Sequence, residues 1–234
     1  MHVRGLEAGG VLAALLLPGT VLARWQHTSQ GPGTTTVLPD GCRDLVLRLD
    51  TATGQAEGMV TPLDTQARRV NTLRPTQWIG FRLRPGVQVE ERALLAAARA
   101  ARHSGGWDEG RVLSALEDHV VLHARAAEAL EALQACASVD DAARALGISP
   151  RSLERMLAEA TGQPPRYWRA LARMRRAACA LSGGAPLVAI AADHGYADQS
   201  HFSRECLRWL GHTPHTLRHS PELLATVAQP GYGA

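Results

Sequence analysis

The chain repeats itself within residues 138–219, and no other feature constrains its fold as tightly. The first copy reads Ala143-Arg144-Ala145-Leu146-Gly147-Ile148-Ser149, followed by Leu153-Glu154-Arg155. The second reads Ala191-Ala192-Asp193-His194-Gly195-Tyr196-Ala197, followed by Phe202-Ser203-Arg204, with one more residue between its glycine and its apolar-x-Arg triplet. Each copy has the form helix, glycine turn, helix. Glycine supplies a corner with positive φ, which a β-carbon resists. The second helix of such a hairpin needs an apolar face inward and a polar face outward. Helical spacing gives both copies that division. Leu153, Leu157 and Ala160 share a face, and Arg151, Glu154 and Arg155 fall away from it. Phe202, Cys206 and Trp209 share a face, with Ser200 and Arg204 opposite and Gln199, His201 and Ser203 nearby.

Start and stop signals divide the same region into short helices. Ser138-Val139-Asp140-Asp141 fits a capping box opening Val139–Leu146, which Gly147 ends. Ser149 caps a helix with Pro150 at its first position, running to Ala160 and closed by Gly162. Pro164-Pro165 starts a longer helix to about Leu181, where Ser182-Gly183-Gly184 halts it. Pro186 opens Leu187–His194, Asp198 caps Gln199–Leu210, and Thr213-Pro214 starts a last short helix. The long helix between the copies would measure about 25 Å, enough to hold the two second helices roughly one turn of B-DNA (about 34 Å) apart.

Charge points the same way. Residues 1–137 hold 14 basic and 14 acidic residues, whereas 138–234 hold 11 and 8 and so carry the whole net charge of +3. Arg144–Arg176 contains eight arginines against Glu154 and Glu159, a local +6. That is a footprint for an anionic partner, although a solvated helix face can look the same. Arg pairs bidentately with guanine, Gln with adenine, and Glu accepts from cytosine, so the outward side chains are of base-reading types. Arg166, Arg169, Arg173 and Arg176 are candidates for phosphate contact or for simple solvation.

Several function classes drop out. All 25 basic residues are arginine, so neither a Schiff-base lysine nor a Walker-type phosphate loop can be built. The four cysteines (Cys42, Cys136, Cys179, Cys206) lie far apart without a C-x-x-C pair, which fits a reducing compartment. His212, His215 and His219 form an H-x2-H-x3-H run without a fourth ligand in view and read as polar surface, so no metal or cofactor is expected. No catalytic triad or carboxylate pair can be assigned from spacing, and no enzyme is expected. No apolar run approaches the ~18 residues of a bilayer span. Val11–Leu17 lacks the basic lead-in of a signal peptide and is broken by Pro18-Gly19, so it reads as a short helix or strand.

The N-terminal part has different punctuation. Leu45, Leu47 and Leu49 alternate onto one face, as do Ile79, Phe81 and Leu83, with Pro39-Asp40-Gly41 and Pro85-Gly86 as turn signals. Short strands of this kind suggest a small β-barrel or sandwich. Asp40, Cys42 and Asp44 cluster at a strand start; a structural turn is favoured over a reactive or ligand-sensing Cys42. Residues 90–136 turn helical, with Val112, Leu116 and Val120, then Ala127, Leu130 and Leu133, at helical spacing.

Residues 138–219 resemble the C-terminal DNA-binding domain of AraC/XylS-type transcriptional regulators. The matching marks are Leu146-Gly147-Ile148-Ser149, Leu153-x-Arg155, Thr161-Gly162-x-Pro164, Arg175-x-x-x-Cys179-x-Leu181, Ile190-Ala191, Gly195-Tyr196-x-Asp198-x-Ser200-His201-Phe202-Ser203-Arg204 and Gly211-x-Thr213-Pro214. Cys206 stands where the family usually has an aromatic residue. The resemblance implies base contacts by Arg151, Ser152, Glu154 and Arg155 in the first copy, and by Gln199, Ser200, His201, Ser203 and Arg204 in the second. It also implies a sensing or dimerising β-domain in front. There, Leu38-Pro39-Asp40-Gly41-Cys42-Arg43-Asp44-Leu45-Val46 and Gly80-Phe81-Arg82-Leu83-Arg84-Pro85-Gly86 are similar to a poorly characterised domain type that precedes such modules and brings no known ligand.

The expected architecture is α+β with two domains: an N-terminal small β-barrel or sandwich with flanking helices, and a C-terminal all-α double helix-turn-helix. The expected divisions are 1–103 for the β-rich sensor or partner domain, 104–137 for a helical linker, 138–219 for the DNA-binding domain and 220–234 for a tail. The expected function is a cytoplasmic regulator, monomer or homodimer, that binds double-stranded DNA through two recognition helices in successive major grooves, with a small-molecule effector on the N-terminal domain or none. The rival reading is a small-molecule-binding or enzymatic β-barrel with a helical oligomerisation domain.

Overall fold

The computed structural model describes residues 16–233, so most of the Val11–Leu17 segment lies outside them. The chain divides into two compact units. One holds residues 16–35 together with Arg43–Pro62 and Asn71–His123. The other holds Thr36–Cys42, Leu63–Val70 and the chain from Ala124 onward.

The strands of the front part are β1 (Val21–Ser29), β2 (Gly33–Val37), β3 (Asp44–Asp50), β4 (Ala56–Val60), β5 (Arg68–Thr72) and β6 (Thr76–Leu83); β1, β3, β4 and β6 belong wholly to the first unit, whereas β2 and β5 are each divided between the two. The main sheet is antiparallel with order β1-β6-β3-β4, and β2 pairs separately with β5. Leu45 sits opposite Phe81 and Leu47 opposite Ile79, so the alternation read from sequence puts one apolar row on one face. Leu45, Leu47, Phe81 and Leu83 are fully buried. A short strand β7 (Gln88–Val89) leads into helix α1 (Glu91–Ala100); the hairpin β8 (Arg102–His103) and β9 (Gly106–Trp107) then leads into α2 (Glu109–His119) and β10 (Val120–Val121), which pairs with β7. Leu94 and Ala98 of α1 and Val112 and Leu116 of α2 join the sheet leucines in one core. Arg24 of β1 closes the rim with a bidentate pair to Glu109 of α2, at 2.9 and 2.7 Å.

The β-rich front part with flanking helices is therefore as expected, but among the described residues no barrel closes. β1 and β4 remain sheet edges, and two amphipathic helices take the place of a second sheet. Alternation reports which face is buried; it does not report what covers it.

The second unit is helical: α3 (Ala124–Ala135), α4 (Val139–Ala145), α5 (Pro150–Thr161), α6 (Pro165–Cys179) with a 3-10 turn Ala180–Gly183, α7 (Leu187–Asp193), α8 (Gln199–Leu210), α9 (Pro214–Arg218) and α10 (Pro221–Val227). Its core gathers Leu153 and Leu157 of α5, Trp168, Leu171 and Met174 of α6, and Phe202, Cys206 and Trp209 of α8. α6 runs about 22 Å as an α-helix and stops two residues earlier than the sequence suggests, the chain tightening into the 3-10 turn.

This unit is wider than the 138–219 segment. α3 belongs to it, as do α10 and two segments from early in the chain. Leu38 is buried in the helical core, and the Tyr167 hydroxyl donates to the Asp64 carbonyl at 3.0 Å.

Candidate nucleic-acid interface

The two helix-turn-helix corners are built identically. Gly147 has φ +66° and Gly195 φ +70°. The Ile148 N–H donates to the Ala143 carbonyl at 3.0 Å, and the Tyr196 N–H to the Ala191 carbonyl at 2.9 Å. Each bond reaches back five residues, the closure of a helix that ends in a left-handed glycine. Up to this point the copies are offset by 48 residues. The next element is capped by Ser149 in the first copy, which accepts from the Ser152 N–H at 3.1 Å, and by Asp198 in the second, which accepts from the His201 N–H at 2.6 Å. Those caps are offset by 49, so the additional residue of the second copy is Ala197, placed in the turn and not in either helix.

Both second helices carry the two faces that spacing suggested. In α5, Leu153 and Leu157 are fully buried, while Arg151, Glu154 and Arg155 are exposed. In α8, Phe202 and Cys206 are fully buried, while Gln199, Ser200 and Arg204 are exposed. Among the described residues, the side chains of Arg151, Glu154, Arg155 and Arg204 make no ion pair or hydrogen bond, so their polar groups face solvent.

Ser152, His201 and Ser203 are half-buried. Ser152 shares a hydroxyl–hydroxyl contact of 2.9 Å with Ser149. The His201 ring stands edge-on to Tyr196 at 5.3 Å, and its Nδ1 accepts from the Ala197 N–H at 3.4 Å. Both side chains thus help to close their own turns. Sequence reasoning passed over Leu207, which is 55% exposed. It lies at i+7, i+4 and i+3 from Ser200, Ser203 and Arg204 and so extends their stripe. The signal was available, since an apolar residue off the Phe202/Cys206/Trp209 face has no core to enter.

The local +6 overstates the charge available to a partner. Arg144 is held by Asp141 at 2.6 Å. Arg169 donates to the carbonyls of Cys136, at 2.6 Å, and Ala137, closing the end of α3. Arg173 lies over the Tyr196 ring, and Arg175 is buried. Arg151, Arg155, Arg166 and Arg176 are exposed. Beyond this stretch, Arg208 is held bidentately by Glu205, with both bonds at 3.0 Å, and Arg218 donates to the Ala185 carbonyl. Burial pushes the Glu205 carboxyl up, but Arg208, the Trp209 N–H and Arg173 together outweigh it and hold the group below its usual range. Burial raises the Cys206 thiol to about 12, with Glu205 adding to the effect. At the second corner, burial and then Arg176 hold His194 below the usual imidazole value, against a smaller pull from Asp193.

The His215 and His219 rings lie 4.3 Å apart at a tilt of 32°, and among the described residues no group of three or more His, Cys, Asp or Glu is arranged to hold a metal. No helix among the described residues is long and apolar enough to cross a membrane.

Residues 142–220 match the family model described as a helix-turn-helix domain. Among solved structures, the chain is similar to a transcriptional regulator (AraC-type DNA-binding domain-containing proteins) from Chromobacterium violaceum. The two are 30% identical over 45% of this chain and 93% of that one, with a TM-score of 0.38. It is also matched to ToxT from Vibrio cholerae O395, at 9% identity over 89% of this chain and 98% of that one, with a TM-score of 0.44. A ToxT from Vibrio cholerae strain SCE256 described as bound to unsaturated fatty acid matches at 9% identity over 86% of this chain and 96% of that one, TM-score 0.42. No curated protein sequence matches the chain significantly.

Proposed function

Because the chain belongs to the AraC-type helix-turn-helix family of DNA-binding transcription regulators, we propose that α5 and α8 are its two recognition helices and that they enter successive major grooves of one duplex. The observation that carries this reading is the matched pair of solvent-facing surfaces, with Arg155 and Arg204 at equivalent positions, each backed by a buried apolar face. Arg151, Glu154, Gln199 and Ser200 flank these arginines and supply the remaining base-reading chemistry, while Ser203 and Leu207 offer a hydroxyl and an apolar contact for a thymine methyl. Ser152 and His201 position their turns as well as standing at the groove. Arg166 and Arg176 are the phosphate contacts of α6, since their guanidinium groups are exposed. Such a protein works in the compartment that holds the DNA, here the cytoplasm.

The test is to select bound sites from genomic DNA with the purified protein and to map contacts by base-methylation interference. The expected result is two clusters of major-groove contact about one helical turn apart, with affinity falling steeply as salt rises. A single cluster, or weak binding that salt leaves unchanged, would refute the two-groove reading.

A small-molecule effector of the sheet unit forms part of the proposal.

A further inference from the structure

The segment after α9 read as a tail in sequence, yet it is folded and fastened at both ends. Ser220 caps α10, accepting from the Leu223 N–H at 3.3 Å. α9 packs on α8, the second recognition helix, and α10 packs on α9 and on α6. The chain then crosses α6 and ends against α3. There the Tyr232 hydroxyl donates to the Leu130 carbonyl at 2.8 Å, and its ring meets Trp168 edge-on at 4.9 Å. α3 in turn packs on α4 and α5, the first helix-turn-helix.

The crossing point is built around a buried charge. Arg175 of α6 is 1% exposed. Its guanidinium donates to the carbonyls of Val227 at 2.9 Å, Gln229 at 2.5 Å, Tyr232 at 3.0 Å and Asp40 at 3.4 Å. The Tyr232 N–H donates to the same Asp40 carbonyl at 2.8 Å. The chain fits there without slack. A β-carbon on Gly231 would come within 2.3 Å of the Arg175 guanidinium, and one on Gly233 within 2.4 Å of the Ala172 Cα.

We propose that Ser220–Gly233 is a strap that joins the second helix-turn-helix to the first, and that together with α6 it fixes their separation and mutual rotation. This rests on the two-groove reading above. A single rod between two readers leaves rotation about its axis to be resisted by side-chain packing alone. A second tie from α8 through α9 and α10 to α3 removes that freedom. The strap therefore sets which half-site spacing the protein accepts, since half-site separation follows from the geometry of the reader. Tyr232 and Arg175 are positioning residues that touch no DNA.

The experiment uses the full chain and its selected operator, with the two half-sites moved apart or together by one and two base pairs. Wild-type protein should lose roughly tenfold or more in affinity for each shifted site, the equivalent of one good base contact. Tyr232→Ala should bind an isolated half-site as wild type does, within about twofold, but discriminate between spacings by about threefold or less. Tyr232→Phe, which keeps the ring and loses only the bond to Leu130, should fall between them and carries the test if Tyr232→Ala does not fold. A folded Tyr232→Phe or Tyr232→Ala protein that keeps the full spacing discrimination overturns the strap. So does a variant that loses half-site and full-site affinity alike. Wild-type protein that binds DNA but accepts every spacing equally overturns the strap alone, and wild-type protein that binds no DNA overturns the two-groove reading as well.

Discussion

The guanidinium of Arg173 lies 4.5 Å above the centre of the Tyr196 ring and donates to the Gly195 carbonyl at 3.3 Å. An arginine of the rod between the two hairpins thus caps the corner of the second one. Arg173→Ala should lower stability by about 1–3 kcal/mol through the lost cation–π contact and charged hydrogen bond, and leave the salt dependence of DNA binding unchanged. Arg166→Ala and Arg176→Ala should do the reverse: each reduces the slope of log affinity against log salt by about one without moving the melting temperature. Salt titrations and thermal melts of the three variants check this. A reduced slope for Arg173→Ala would mean that it leaves Tyr196 to meet phosphate.

Arg155→Ala and Arg204→Ala should each cost about 1–3 kcal/mol of specific binding and relax sequence preference at one or two base pairs. Neither side chain has a partner among the described residues, so thermal stability should stay within about 0.5 kcal/mol of wild type. Titration against operators carrying single base changes reads both effects. If both variants bind as wild type does, the two arginines are not base readers.

What the sequence disclosed and what it hid divide along physical lines. The caps Ser138, Ser149, Asp198 and Thr213 each accept from the N–H three residues on, a local arrangement that four residues decide. The corners at Gly147 and Gly195 were legible for the same reason. α10 carried an equally local signal in Ser220-Pro221, which was passed over because the repeat had already ended. The division among the arginines was not legible, since Arg151 and Arg175 are the same residue type and only three-dimensional surroundings expose one and bury the other. Nor could spacing bring Leu38 or Asp64 into the helical unit; they join residues far along the chain, Asp64 meeting Tyr167 across 103 positions, and depend on shape complementarity.

Gly195→Ala should destabilise by about 1–2 kcal/mol. A β-carbon there meets nothing within 4 Å, so the whole cost is backbone strain at φ +70°. Gly195→Asn should cost less, because asparagine enters the left-handed region more readily. Denaturant melts of the two variants check the order. Equal losses would point to a steric cause instead.

Cys206 occupies the position where an aromatic residue is usual in the resembling family, and it is fully buried with its Sγ 3.7 Å from the Met174 Sδ. Met174 is fully buried as well, so a larger side chain at 206 has to displace it. Cys206→Phe alone should therefore cost about 1–3 kcal/mol by overpacking, and pairing it with Met174→Ala should recover part of that loss. A non-additive double-mutant cycle is the expected signature. Because burial holds the thiol near 12, Cys206 should also resist alkylation in the native protein at neutral pH.

Stability should fall on mild acidification. Burial holds His27 below the ordinary imidazole value, and burial followed by Arg176 does the same for His194. Both folded pKa values are depressed, so below about 6.5 the unfolded chain binds more protons than the folded one. The stabilisation is present above that pH and is lost as pH falls through the folded values. Asp141 is held low by its hydrogen bonds to Ser138 and Arg144. Asp50 is held low chiefly by the Thr53 N–H, with smaller help from the Ala52 N–H, the Thr53 hydroxyl and Arg74, against the opposing loss of hydration. The contributions of these carboxylates disappear only at more acid pH, below about 4, which separates the two windows. Thermal melts between pH 7.5 and 5 should show a decline that His27→Gln and His194→Gln each flatten. An undiminished decline in the double variant would assign the effect to other groups.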